Sequence, residues 1–150
     1  EALPVAPKTK ESPTDRAYYA DTEGWVTRQL NAAIAASGLP GVAEALPLMR
    51  FLIYPKPGGH LPTHVDLSRS HDGRRSTHTF LLYMADCAEG GETLFLEALE
   101  GDSALAHFGG VAPGDRATVA KVAPRRGRLL LMPHHCPHAA APVVDAPKIL

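Results

Sequence analysis

Short apolar stretches separated by turn residues fill the chain after Pro47, and this texture limits what the chain can fold into. The stretches are rich in β-branched or aromatic residues and are bounded by Gly, Pro and Asp, a pattern typical of β-strands rather than helices. Strands this short and this numerous favour a barrel or a two-sheet jelly roll. The predicted strands cover residues 48–54, 63–67, 76–84, 93–97, 117–122, 127–132, 138–144 and 148–150.

The segment before Pro47 has a helical pattern instead. Trp25, Leu30 and Ile34 recur at helical spacing, which predicts a helix over 21–37. A second short helix is predicted over 41–46. We therefore expect a mainly β fold with an N-terminal helix.

Length and pattern together predict a single domain. A chain of 150 residues can bury a core of its own. Residues 1–13 contain three prolines and no hydrophobic period, which predicts an extended arm. Residues 14–47 are expected to form a helical support and residues 48–150 the β core, so that one domain spans 1–150.

Composition narrows the partners and the compartment. The net charge of -1 and the pI near 6.8 disfavour nucleic acid, and no apolar run approaches the roughly 18 residues of a membrane span. The two cysteines, Cys87 and Cys136, form neither a disulfide framework nor a CxxC pair. Because residue 1 is Glu, we expect a processed or excised chain. The cytoplasm or nucleus is expected, a removed targeting segment stays an alternative, and the oligomeric state is left open.

Two potential metal ligands stand two residues apart in "GGHLPTHVDLS". In a strand, His64 and Asp66 point to one face, and two His with one carboxylate on one face is the arrangement of a non-haem iron(II) site. Candidates for the third ligand are His134, His135 and His138; His138 is preferred because it opens a predicted strand. A surface His-x-Asp pair without a metal is the alternative.

Lys148 follows His138 by ten residues and is flanked by apolar residues. A lysine in the last predicted strand can point into the barrel, and an inward lysine needs an anion. The sequence therefore predicts an anion beside Lys148 if this lysine points inward.

Several motifs in one order resemble the catalytic domain of the prolyl hydroxylases, within the iron(II)- and 2-oxoglutarate-dependent dioxygenases. They are "IYPKPGGHLPTHVD", "LLYMADCAEGGETLF", "GRLLLMPHHCPHAAAPV" and Lys148, and the resemblance runs from about Arg50 to the C-terminus. It implies a double-stranded β-helix core, that is, a cupin-like jelly roll. It also implies Fe(II), 2-oxoglutarate and O2 as reactants, with ascorbate as a reductant.

The resemblance also implies a role for each matching residue. His64, Asp66 and His138 would hold Fe(II), and Lys148 would pair with the distal carboxylate of 2-oxoglutarate. Thr79 and Tyr83 would line the cosubstrate pocket, and Tyr54 would stand at its mouth. A plain aromatic position in a β core stays an alternative for both tyrosines. The Gly-Gly-Glu-Thr motif at 90–93 is interpreted as a tight hairpin turn.

The expected reaction is hydroxylation of a C–H bond, in a prolyl or other residue of a peptide or protein, with release of succinate and CO2. A small molecule or free amino acid is the alternative substrate. Substrate choice is expected to depend on the loops at 68–76 and 97–116. The first loop is basic; the alternative to a binding role is that its arginines are only a solvated charge run. A non-catalytic metal- or peptide-binding barrel and a zinc hydrolase are the competing functions.

Overall fold

The computed structural model describes residues 14–38, 44–97, 118–145 and 147–150. The predicted arm and nearly all of the loop at 97–116 lie outside the described residues. Within these ranges the chain is mainly β, with one helix, α1 (Trp25–Ala36). The strands are β1 (Asp15–Ala20), β2 (Leu48–Tyr54), β3 (Leu61–His64), β4 (Ser70–His71), β5 (Arg74–Arg75), β6 (His78–Leu82), β7 (Thr93–Leu96), β8 (Thr118–Val122), β9 (Leu129–Pro133), β10 (His138–Ala140) and β11 (Lys148–Ile149).

Helix α1 begins four residues later than predicted because Asp21 caps it from outside. The Asp21 carboxylate accepts hydrogen bonds from the backbone N–H of Thr27 at 2.7 Å and from its hydroxyl at 2.9 Å. Leu30 and Ile34 are the buried residues of the helix, as the spacing predicts, whereas Trp25 is exposed.

The prediction of a second helix over 41–46 is wrong for the part that can be compared. Residues 44–46 have no regular structure, and 41–43 lie outside the described residues. A helix of six residues closed by Pro47 makes too few hydrogen bonds to offset its nucleation cost. Instead, the N–H of Ala45 donates to the side chain of Asn31 on α1 at 2.7 Å.

A strand, β1, occupies the first part of the predicted helical support at 14–47, which is therefore corrected. It pairs antiparallel with β2 over its whole length, from Asp15 opposite Ile53 to Ala20 opposite Leu48. The segment "DRAYYA" mixes charged, small and aromatic residues, so its periodicity is too weak to predict a strand. Pairing with β2 stabilises the strand instead. A short hairpin, β4–β5, likewise stands inside the predicted loop at 68–76.

The strands form four sheets in the described residues. Their orders are β1-β2-β11, β3-β10-β7-β8, β6-β9 and the β4–β5 hairpin. Strands β6 and β7 belong to different sheets, so the interpretation of residues 90–93 as a tight hairpin turn between them is wrong. Gly90 forms a β-bridge with Val143 instead.

Buried apolar residues of the described chain form two core clusters. One contains Leu52, Tyr54, Cys87 and Val143, and the other contains Leu94, Leu96 and Ala139. Between the wall made by β2 and β11 and the wall made by β3, β10 and β7 lies a cavity that is open to solvent.

Candidate metal and cosubstrate site

Strand pairing brings the three predicted metal ligands together. His64 ends β3 and His138 begins β10, and the two residues face each other in the antiparallel register, with ring centroids 4.2 Å apart. Asp66 lies two residues beyond His64, and its N–H donates to the carbonyl of His134 at 3.0 Å. Residues 74 positions apart in the chain thus meet at one point.

The ligand atoms of these residues converge. The His64 Nε2 lies 3.8 Å from Asp66 Oδ1, and the His138 Nε2 lies 3.8 Å from Asp66 Oδ2. All three ligand atoms lie within 4.8 Å of one another. Among the described residues, this is the one group of three or more His, Cys, Asp or Glu side chains so placed. Two imidazoles and a carboxylate on one side of an ion suit non-haem iron(II).

Backbone carbonyls orient both imidazoles in the same way. The Nδ1 of His64 lies 2.8 Å from the carbonyl of Pro62, and the Nδ1 of His138 lies 3.0 Å from the carbonyl of Cys136. Because a carbonyl only accepts, each Nδ1 carries the hydrogen and each Nε2 keeps its lone pair for a metal. Burial lowers the pKa of His64, and the neighbouring His138 lowers it further, which favours the neutral form that binds metals.

Thr79 contacts a candidate ligand directly. It lines the cavity from β6, and its hydroxyl donates to Asp66 Oδ2 at 2.5 Å. This bond fixes the plane of the carboxylate and leaves Oδ1 available. The structure therefore places Thr79 beside the predicted metal ligands.

Lys148 is the buried cation at the closed end of the cavity. It is 1% exposed, its Nζ has no hydrogen-bond partner among the described residues, and it lies 4.8 Å from the centroid of the Tyr54 ring. Burial lowers the pKa of Lys148 to about 8. An ammonium held in this way lacks a counter-ion, and a carboxylate in the cavity would supply one. The residues present thus fit a bound dicarboxylate.

A glycine makes room for Lys148. A Cβ on Gly91 would lie 3.1 Å from the Cδ of Lys148 and 3.4 Å from the Sγ of Cys87. The backbone at Gly91 can therefore approach the lysine stem closely only without a side chain.

The structure separates the two predicted pocket tyrosines. Tyr54 lines the cavity, but it is 1% exposed and pairs with Lys148 across β2 and β11, so it lies at the closed end rather than at the mouth. Tyr83 is fully buried and is not among the cavity-lining residues; its hydroxyl lies 2.6 Å from that of Thr93. Burial raises the pKa of Tyr54 to about 12 and also raises that of Tyr83, so both hydroxyls keep their protons.

Two polar residues of the cavity lining, Thr93 and Arg50, are absent from the predicted site residues. Thr93 is 3% exposed and lines the cavity at the start of β7. The Gly-Gly-Glu-Thr motif, which contains Thr93, was the available signal, but its glycine pair favours the interpretation as a turn. Arg50 lines the cavity from β2, and its alternation with Tyr54 along the strand could have suggested this.

The fold and this site define a class of protein, and comparison with known families agrees. The sequence profile of the 2OG-Fe(II) oxygenase superfamily matches residues 49–150. The chain therefore belongs to this superfamily, whose members use Fe(II), 2-oxoglutarate and O2. The resemblance read from the motifs is confirmed, and the mainly β structure is consistent with the jelly roll of these oxygenases.

A solved structure is similar over nearly the whole chain. It is the crystal structure of a Pseudomonas putida prolyl-4-hydroxylase, which is 20% identical with a TM-score of 0.57. The alignment covers 99% of this chain and 73% of that chain. At this identity the likeness supports the fold. The comparison with curated proteins gave no match.

Proposed function

We propose that the protein is an Fe(II)- and 2-oxoglutarate-dependent dioxygenase that hydroxylates a C–H bond. His64, Asp66 and His138 bind the iron, and Lys148 binds the distal carboxylate of 2-oxoglutarate. The observation that carries the proposal is the buried, unpartnered ammonium of Lys148, in the same cavity as three converging metal ligands. The strand order supports a double-stranded β-helix as the core.

When bound, iron and 2-oxoglutarate supply the activation of O2, with conversion of 2-oxoglutarate to succinate and CO2 and transfer of one oxygen atom to the substrate. The residues of the chain bind, orient and shield. Lys148 fixes one end of the cosubstrate by a charge-assisted contact at the buried end of the cavity. Thr93, held by the hydroxyl of Tyr83, offers a second polar contact at that end. Ascorbate is the expected reductant that keeps the iron in the Fe(II) state.

The alternative functions fit these residues less well. A non-catalytic barrel has no need for a buried cation next to the metal ligands. A zinc hydrolase needs a general base beside its bound water. Among the described residues that line the cavity, Asp66 is the one acid, and it is already a metal ligand.

We propose a residue of a peptide or protein as the substrate, with proline as the first residue to test. The similar structure is that of a prolyl-4-hydroxylase, and the cavity is open to solvent. A small molecule or free amino acid is the alternative, and assays with each kind of substrate separate them.

Succinate formation under air tests the proposal. Wild type loaded with Fe(II) is expected to convert 2-oxoglutarate to succinate, and His138→Ala is expected to abolish both tight iron binding and turnover. His135→Ala is the matched control, since His135 is exposed in the same segment. Lys148→Met is expected to weaken 2-oxoglutarate binding roughly tenfold to a hundredfold. Equal turnover in wild type and His138→Ala would refute the assignment.

A further inference from the structure

The open end of the cavity carries an arginine that the proposed chemistry does not use. Arg50 lines the cavity together with His64 and Asp66, and it is exposed. Its side chain has no hydrogen bond or ion pair with any described residue. A guanidinium at this position can bind an anion that enters from solvent.

The position of Arg50 on β2 places it away from the cosubstrate end. Tyr54 is opposite Lys148, and Arg50 lies four residues earlier on the same face of the strand. At a rise of about 3.3 Å per residue, Arg50 and Tyr54 are roughly 13 Å apart along β2. The cavity thus has one cation at its closed end and another at its open end, with the metal ligands also on its wall. Lys148 would account for the distal carboxylate of 2-oxoglutarate and the metal for its other carboxylate, so Arg50 remains for a further anion.

More positive charge stands on the hairpin that leaves the site. The chain enters β4–β5 four residues after Asp66 and leaves it four residues before Thr79. The hairpin is closed at its base, where the N–H of Ser76 donates to the carbonyl of Arg69 at 2.8 Å. The hairpin therefore rises from the edge of the cavity.

Two of the hairpin arginines lack a counter-ion. Arg74 pairs with Glu44, and the tip residue Asp72 pairs with His71. Arg69 and Arg75 are exposed and have no ion pair with a described residue. Arg69 and Arg75 by themselves could be explained as a solvated charge run. That explanation does not cover Arg50, which lines the cavity.

Exposed apolar residues continue the same face of β1 and β2. Tyr18 is directly opposite Arg50, so the two side chains share a face, and Leu48 lies two residues before Arg50 on that face. Tyr18 is 46% exposed and Leu48 is 66% exposed. We refer to the exposed residues Tyr18, Leu48, Arg50, Arg69 and Arg75 together as the rim surface.

We propose that the rim surface binds an acidic segment of the substrate, with Arg50 holding a carboxylate next to the residue that is hydroxylated. The planar guanidinium suits a carboxylate, and the unpaired arginines attract an acidic chain from a distance. Tyr18 and Leu48 provide apolar contact for the side chains between the acids. The inference rests on the proposed function, because it names the substrate class of that site.

The test uses peptide libraries whose central residue is an equal mixture of amino acids. The flanking residues are all Glu, all Gln or all Lys, so the unknown target residue does not affect the comparison. Succinate formation by the iron-loaded protein is measured with each library and with a mixture of free amino acids. The Glu library is expected to stimulate turnover at the lowest concentration, and added salt is expected to weaken this preference.

Variants of Arg50 separate substrate binding from cosubstrate binding. Arg50→Glu is expected to raise the KM for the Glu library roughly tenfold to a hundredfold and to shift the preference to the Lys library, with the KM for 2-oxoglutarate unchanged. Arg50→Lys is expected to retain the preference for Glu. Arg125→Glu is the control, since this exposed arginine precedes β9 at the end far from Thr79 and the metal ligands.

The possible outcomes distinguish the two proposals. Equal KM values for the three libraries, or a raised KM for 2-oxoglutarate in Arg50→Glu, would overturn the role of the rim surface while leaving the oxygenase intact. Stimulation by free amino acids alone, lost in Arg50→Glu, would support carboxylate binding by Arg50 and assign the carboxylate to a small acid rather than a peptide. Absence of iron binding and of succinate from wild type would overturn the proposed function itself.

Discussion

At the scale of single residues, Lys148 connects burial with cosubstrate binding. Its pKa of about 8 means that the free protein holds an ammonium below that pH and a neutral amine above it. In the proposed function, the distal carboxylate of 2-oxoglutarate binds the ammonium form. We therefore expect the affinity for 2-oxoglutarate to be constant from neutral pH to about 8 and to fall above it by about tenfold per pH unit.

Calorimetric titration of the Mn(II)-loaded protein with 2-oxoglutarate measures this dependence. Lys148→Arg is the control, because arginine stays charged through this pH range. The affinity of this variant for 2-oxoglutarate is therefore expected to be independent of pH. The same decline in Lys148→Arg as in wild type would show that another group causes it.

Thr79 is expected to act on metal affinity through Asp66. Thr79→Val keeps the shape of the side chain but removes the hydrogen bond to Asp66 Oδ2. Loss of such a contact to a ligand is expected to weaken iron binding roughly tenfold to a hundredfold. Competition with a chelator measures the affinity, and Thr77→Val, at an exposed threonine two residues earlier, is expected to leave it unchanged.

At the scale of the elements, Gly90 joins the segment before β7 to the segment after β10. Its φ is +75°, and a Cβ there would lie 2.4 Å from the carbonyl oxygen of Pro142 and 2.8 Å from the nitrogen of Val144. Both contacts are with backbone, so they are relieved only by breaking the bridge between Gly90 and Val143.

We expect Gly90→Ala to lower the free energy of unfolding by more than Gly127→Ala does. Gly127 has a similar φ of +80° but no atom within 4 Å of the added Cβ, so it reports the conformational strain alone, about 1–2 kcal/mol. The clash at Gly90 is expected to add about 1–3 kcal/mol. Urea unfolding of both variants measures the difference. Equal losses of unfolding free energy in the two variants would show that the clash at Gly90 adds nothing to the conformational strain.

The elements also differ in how far their sequences predict them. Strand β2 has the predicted bounds, because its apolar residues fill the segment between Pro47 and Pro55 apart from Arg50. Strand β1 was missed, since its stability comes from pairing with β2 rather than from its own pattern. The β4–β5 hairpin was also missed, although Asp72 and Gly73, with φ of 48° and 74°, form the Asp-Gly turn typical of two-residue hairpins.

At the scale of the whole molecule, the lysine that is proposed to bind the cosubstrate lowers the stability of the protein without ligands. An unpartnered buried ammonium opposes folding, and because the pKa of Lys148 in the folded chain lies below the ordinary value of 10.5, stability should rise as the pH increases from about 8 to 10.5. Lys148→Met is expected to raise the free energy of unfolding of the protein without ligands at neutral pH by on the order of 1–4 kcal/mol.

Chemical unfolding without and with 2-oxoglutarate checks this exchange. Wild type with metal is expected to gain about 2.7 kcal/mol at a cosubstrate concentration 100-fold above Kd, whereas Lys148→Met gains little. Lys56→Met, at an exposed lysine, is expected to change neither quantity. A less stable Lys148→Met protein would mean that the ammonium has a stabilising partner in the absence of cosubstrate.

No helix within the described part of the chain is long and apolar enough to cross a membrane. The assembly of the sheets, rather than any single element, creates the cavity: its lining comes from β2, β3, β6, β7, β10 and β11.

The sequence by itself determined the features that depend on near neighbours. The alternation of apolar and turn residues predicted the strands, and the spacing of His64 and Asp66 predicted two ligands on one face, because a side chain two residues along a strand returns to the same side. The family motifs then pointed to His138 and Lys148.

Only the tertiary structure decided which distant residues meet. The register of β10 against β3 sets His138 opposite His64, and that of β11 against β2 sets Lys148 opposite Tyr54. The same assembly brings Arg50 into the cavity and leaves Tyr83 behind Thr93. Register across sheets depends on the packing of the complete core, which the periodicity of a single segment does not contain.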